Sequence, residues 1–265
     1  MKDKHMQFRL GVLALAGLIF SGPLWADLSG TITKVKPSVV ILGTYKSTNS
    51  PRFSLRGTGF IVGEDGQGSS NLVVTNAHVL PQSTEADSQA GLVIQLKVNQ
   101  SELQMRPVVV LEVDKLHDLA LLRFEGPAAP ALSVRDSGTV QEGQAIAFMG
   151  FPIGGALGFS PVTHRGTVSS IAAAALPTPT AQQLNEKTIR GLRQGSFEIF
   201  QLDGTAYPGN SGGPLFDPDT GEVLGVVNMV FIKGTRESAL TNPSGISYAI
   251  PSGYILHLFK RGKTN

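Results

Sequence analysis

The chain has 265 residues, with 22 basic and 20 acidic side chains, 41% hydrophobic residues and no cysteine. The missing thiols exclude a cysteine nucleophile, a disulfide framework and Cys-ligated zinc. Beyond residue 26 the histidines are His78, His117, His164 and His257; they lack the i, i+4 pairing of a helical metal site, so neither metal nor cofactor is expected.

The first 26 residues predict a secretory signal peptide: a basic start (Lys2, Lys4, Arg9), an apolar run Leu10–Phe20, a turn at Ser21-Gly22-Pro23, then Ala26. Leu24 departs from that pattern, since a small residue is preferred there. The apolar run is short of the ~20 residues that span a bilayer. Export, to the periplasm or beyond, is therefore expected, with no stable membrane insertion after cleavage; an uncleaved N-terminal tether is the alternative. Residues 27–265 keep 19 basic and 19 acidic side chains, a balance with no electrostatic footprint for nucleic acid.

Short β-branched and aliphatic runs then alternate with Gly, Pro, Asn and Asp. Strands are predicted over Ser38–Gly43, Gly59–Val62, Leu72–Thr75, Leu92–Val98, Val108–Val113 and Leu119–Phe124. Further strands are predicted over Ala145–Met149, Gly166–Ile171, Phe197–Leu202, Val223–Val230 and Ser247–Ile250. This rhythm predicts an all-β barrel or sandwich. No long amphipathic helix is predicted between residues 27 and 170. Ala172–Gly195 interrupts the rhythm, with a capping box at Thr180-Ala181-Gln182-Gln183 that suits a brief helix to about Arg190. A short C-terminal helix is predicted over Ser252–Phe259, capped by Ser252.

The stretch TAYPGNSGGPLF, residues 205–216, sets Ser211 among Gly209, Gly212 and Gly213. Such a stretch makes either a plain turn or the setting of a nucleophile. A serine hydroxyl needs an adjacent base, usually a histidine held by a carboxylate. His78 follows the predicted strand Leu72–Thr75, at an end that can project it into a cleft. Asp118 opens the strand Leu119–Phe124 and is the carboxylate candidate; Asp114, in the preceding turn, is its rival. His117 is expected to point away from Asp118, because side chains alternate along an extended chain.

Five stretches fall in an order that resembles a known family: GTGFIV (Gly57–Val62), VVTNAHVL (Val73–Leu80), DLALLRF (Asp118–Phe124), GNSGGPLF (Gly209–Phe216) and GISYAIP (Gly245–Pro251). They look like the protease domain of HtrA/Deg-type serine proteases, within the chymotrypsin-like superfamily, over roughly residues 30–255. The resemblance implies an all-β fold of two six-stranded antiparallel β-barrels, about 27–135 and 136–265, with the active site between them. It implies a serine endopeptidase acting on polypeptides through the triad His78, Asp118 and Ser211, with Gly209, Asn210 and Ser211 forming the oxyanion hole. Asn210 cannot make the ion pair to a new N-terminus by which digestive relatives are activated. The chain ends soon after Pro251, where resembling proteins often carry a PDZ domain, and none is expected here.

Thr205, Ala206, Tyr207, Val227, Asn228 and Met229 are the expected lining of the substrate pocket. No carboxylate stands at Thr205, so a small or medium apolar residue before the cut bond is expected over Lys or Arg. Two other functions fit parts of the pattern. Gly209–Gly213 also satisfies G-x-S-x-G, the nucleophile elbow of a serine esterase, with Asp219 and His257 downstream; that fold needs a helix after the serine. A catalytically idle protease-like module that only holds peptides would keep the cleft without the chemistry.

Overall fold

A computed structural model describes residues 27–63, 68–81, 90–98, 102–155, 159–174, 197–228 and 246–262. Two closed six-stranded antiparallel barrels dominate it. The first comprises β1 (Val39–Tyr45), β2 (Phe53–Val62), β4 (Leu72–Asn76), β5 (Gly91–Lys97), β6 (Leu103–Asp114) and β7 (Leu119–Phe124). The second comprises β9 (Ala145–Gly150), β10 (Val162–Ala174), β11 (Phe197–Asp203), β12 (Pro214–Phe216), β13 (Val223–Asn228) and β14 (Ile246–Pro251). A two-stranded ribbon pairs β3 (Ser69–Ser70) with β8 (Ala129–Pro130). Helices α1 (Leu28–Val35) and α2 (Gly253–Gly262) flank the barrels. Among the described residues, no helix is long and apolar enough to cross a membrane.

β1, β4, β7, β9 and β13 are almost continuously buried, on both faces, and their sequences are correspondingly apolar. In β1, Val40 and Leu42 point into the first barrel, while Val39 and Ile41 join a second core between the barrels. The same alternation divides β7, with Ala120 and Leu122 inside and Leu119 and Leu121 in the shared core. In the second barrel, Ile146 and Phe148 of β9 fill the interior, and Ala147 and Met149 face the first barrel. Val35 of α1 and Ile255, Leu258 and Phe259 of α2 extend the shared core. Period-two side-chain direction thus builds three cores from one set of strands.

The shared core holds the barrels in contact along a seam, and polar bonds cross it. Thr58 of β2 donates its N–H to the Ser211 carbonyl at 2.9 Å and its hydroxyl to the Gly209 carbonyl at 2.6 Å. The same hydroxyl accepts the Phe151 N–H at 3.1 Å.

Every predicted strand has its counterpart, but the ends differ. β2, β6 and β10 begin six, five and four residues earlier than expected, in segments whose outward side chains are partly exposed and polar or mixed. α1, the ribbon strands and the three-residue β12 were not anticipated; the strands are too short for a periodic pattern, and α1 spans only about two turns. Asp27 caps α1, accepting the Ser29 N–H at 3.0 Å. Ser252 precedes α2 as expected, yet its hydroxyl donates to the Arg135 carbonyl, and Ser137 Oγ meets the Gly253 N–H at 3.0 Å. The predicted helix at residues 180–190 lies outside the described residues.

Phe216 is fully buried in the shared core. Phe216→Ala should lower unfolding free energy by about 3–5 kcal/mol, measured by denaturant titration. A loss below about 1 kcal/mol would mean that the seam is not a packed core.

Candidate active site

β4 runs buried from Leu72 to Asn76 and ends in a single 3₁₀ turn, Ala77–Val79, that carries His78. The segment after it is pinned by Arg56, whose guanidinium donates to the carbonyls of Val79 at 2.7 Å and Leu80 at 3.2 Å. The His78 side chain remains 32% exposed.

Asp118 stands one residue before β7 with φ +52°, in the left-handed region that Asp tolerates better than most residues. Its carboxylate meets His78 twice: Oδ1 accepts the His78 backbone N–H at 2.8 Å, and Oδ2 contacts Nδ1 at 2.6 Å. Oδ2 also accepts Asn228 Nδ2 at 2.7 Å. Its backbone carbonyl takes Asn76 Nδ2 at 3.0 Å and the Ala77 N–H at 3.1 Å. A carboxylate can only accept, so Nδ1 carries a proton, and in the neutral imidazole Nε2 is left with its lone pair.

Asp114 takes no part in this network. It pairs with His117 instead, Nδ1 to Oδ2 at 2.8 Å, and the His117 ring stacks on Tyr254; residues 115–118 form a turn and not an extended strand, so side-chain alternation is not what sets this direction.

Ser211 lies on the second barrel's side of the seam, 6% exposed. Its loop is held by the Gly212 N–H on the Val227 carbonyl at 2.9 Å and the Gly213 N–H on the Asn210 carbonyl at 3.0 Å. Gly209 has φ +105°, and a Cβ there would sit 2.2 Å from the Phe151 carbonyl oxygen. Gly212 has φ +85°, and a Cβ would sit 2.1 Å from the Thr58 carbonyl oxygen. Both positions therefore require glycine, by backbone angle and by close approach.

Among the described residues, no acceptor takes the N–H of Gly209 or Ser211. Asn210 differs: its N–H goes to the Tyr207 carbonyl at 2.9 Å. It is therefore committed to the turn, which removes Asn210 from the expected oxyanion donors. The Asn210 side chain is fully buried beside His164, Nδ2 to Nε2 at 3.4 Å. His164 stacks on Phe148, rings 4.8 Å apart and 14° from parallel, and burial pushes its pKa down.

The residues expected to line the pocket fall in different places. Val227 and Ala206 pack into the interior of the second barrel. Asn228, two residues from Val226 on the face toward the seam, gives its amide to Asp118. Thr205 and Tyr207 stay partly exposed, and Met229 lies outside the described residues. Thr58, Asn76 and Arg56 were missed altogether. Their signal was present for Thr58 and Asn76, inside GTGF and TNAH, but a polar residue in a strand does not announce its partner. After Ser211 comes β12, not a helix, so the esterase elbow does not fit this fold. Among the described residues, no cluster of His, Asp and Glu could hold a metal ion.

The description "Trypsin-like peptidase domain" matches residues 57–226. Similar relatives include Serine protease HTRA2, mitochondrial, of Bos taurus, 32% identical over 240 residues, 89% of this chain and 43% of the relative. Serine protease HTRA4 of Mus musculus is 31% identical over 234 residues, 86% of this chain and 39% of the relative. The chain thus spans about two-fifths of the length of these curated relatives. Among solved structures, "HtrA-type protease AlgW with tripeptide" shares the fold with a TM-score of 0.59 at 21% identity, covering 88% of this chain and 62% of that one.

Lowered by burial, the His164 pKa gives stability a definite sign with pH. Between its ordinary value and the depressed one, the unfolded chain binds the proton and the folded chain does not, so stability falls as pH drops through that window. His164→Gln should flatten this part of a pH–stability curve followed by thermal melting; an unchanged slope would show that His164 does not contribute.

Proposed function

Because the chain belongs to the trypsin-like peptidase family, we propose that it is a serine endopeptidase acting on polypeptides, with His78, Asp118 and Ser211 as its catalytic residues. The observation that carries this reading is the grip of Asp118 on His78, two bonds of 2.8 and 2.6 Å. That grip fixes the tautomer in which Nε2 is free to take a proton.

In this mechanism Ser211 Oγ attacks the peptide carbonyl and passes its proton to His78 Nε2. The imidazolium that forms is stabilised by Asp118, and it returns the proton to the leaving amine. An acyl-enzyme remains on Ser211. Water then attacks it by the same base catalysis and releases the second product. The N–H groups of Gly209 and Ser211 receive the oxygen on which negative charge develops, one such donor being worth about 3–4 kcal/mol of barrier. Asn228 contributes by holding the second lone pair of Asp118 Oδ2, so that the carboxylate cannot turn away from the imidazole.

Small or medium apolar side chains precede the cut bond in the proposed substrates, since no carboxylate stands at Thr205. The enzyme works after export, with the periplasm as the proposed compartment and residues 1–26 as the signal that directs it.

Casein or peptide-library digestion by the wild-type protein and by Ser211→Ala tests the assignment. Cleavage should vanish in the variant while its far-UV spectrum is unchanged; persistent cleavage refutes it. Asp118→Asn should cost about 10⁴-fold in kcat, through the wrong tautomer. A fluorophosphonate probe should label Ser211 in the wild-type protein, and no adduct would favour the idle peptide-holding module. Strict cutting after Lys or Arg in the library would overturn the pocket preference.

A further inference from the structure

Asp118 holds a backbone angle that most non-glycine residues avoid, and such a residue persists only when its surroundings over-determine it. The surroundings can be named. β6 and β7 pair in a hairpin whose last register pair is Asp114 with Leu119, so Lys115–Asp118 form its connecting loop. Asp114 closes that loop from within, Oδ1 accepting the N–H groups of Leu116 at 3.1 Å and His117 at 3.2 Å. Its other oxygen accepts His117 Nδ1 at 2.8 Å and Arg261 Nη2 at 2.6 Å.

His117 then ties the loop to the other half of the molecule. Its ring lies 4.0 Å from that of Tyr254 on α2, 20° from parallel, and meets the ring of Phe197 on β11 edge-on at 5.0 Å. Tyr254 is itself fixed to β11, its hydroxyl accepting the Glu198 N–H at 3.2 Å. The loop that presents Asp118 from the first barrel is thereby seated in a slot built from the second barrel and α2. The second barrel also carries Ser211 and Asn228.

We propose that Asp114, His117 and Tyr254 form a clamp that reaches across the seam between the barrels and so positions Asp118 against His78. The proposal rests on the proteolytic reading only for its consequence, the rate; the clamp itself is a statement about the Asp118–His78 bond. Burial alone would raise the pKa of Asp114, but the bonds from His117 and the charges of His117 and Arg261 outweigh it and hold the carboxyl below its usual range. The clamp's acceptor thus stays ionised at neutral pH, and both donors remain bonded. The Arg261 side chain is half exposed and contributes less than the buried pair.

His117 and Tyr254 make no hydrogen bond or ring contact with Ser211 or His78, so they are positioning residues. A displaced carboxylate lowers kcat and leaves ground-state binding nearly intact, because a shift of about 1 Å in a catalytic group can cost about 100-fold. His117→Ala and Tyr254→Leu should each lower kcat by about 10–100-fold, with KM changed less than about threefold. His117→Asn, which keeps an N–H donor for Asp114, should recover at least part of the loss. In an Asp118→Asn background, His117→Ala should lower the residual rate little further, since both changes act through one bond.

The decisive readout is the low-field proton resonance of the His78–Asp118 hydrogen bond. It should be sharp in the wild-type protein and broadened or absent in His117→Ala and Tyr254→Leu, with cooperative melting retained. If His117→Ala fails to fold, Tyr254→Leu and His117→Asn are read in its place. Variants that melt earlier but keep the resonance and kcat overturn the clamp, as does an equal loss in the Asp118→Asn background. Should the wild-type protein cleave nothing, the proteolytic reading fails while the resonance still decides the clamp.

Discussion

One carboxylate sets the geometry of the site. Asp118 receives a backbone N–H, an imidazole nitrogen and a side-chain amide, and its own carbonyl receives two further donors. Those donors come from β4 and the turn after it on one side and from β13 on the other. An ionised group with so many donors loses little on leaving water, because charge-assisted bonds replace those that water made. The rest of the site follows from that convergence, including the tautomer of His78 that the contact at Nδ1 selects.

The seam exists because strand residues have two buried faces. A sheet with one wet face would have placed Leu119 and Leu121 in solvent; here they pack against the second barrel. Thr58 adds specificity to that apolar contact by serving three backbone groups, the carbonyls of Gly209 and Ser211 and the N–H of Phe151. Buried polar groups of this kind stabilise only when they are satisfied. They also fix the distance between the halves more tightly than aliphatic packing could.

Much of this was legible in the sequence, for physical reasons. Strands buried on both faces leave long apolar runs, and glycines at positive φ or under a neighbouring carbonyl leave small-residue signatures, so β4, β7 and the loop around Ser211 stood out. What stayed hidden depends on phase and partner. Nothing in LGVVNMV says which of Val227 and Asn228 turns inward, and that single choice moved Asn228 from the pocket wall to the carboxylate. The turn that consumes the Asn210 N–H is likewise set by the Tyr207 carbonyl three residues earlier, a matter of backbone path rather than residue type.

Sharing of labour between the barrels carries a further consequence. His78 and Asp118 belong to one half of the polypeptide, Ser211 and Asn228 to the other, and the packed surface between them is common property. A gene cut in the connection after β8 would yield two fragments, each with an apolar flank and neither with a complete reaction centre. The proposed hydrolysis would return only when the fragments found each other, which makes this architecture a natural starting point for a split reporter of association.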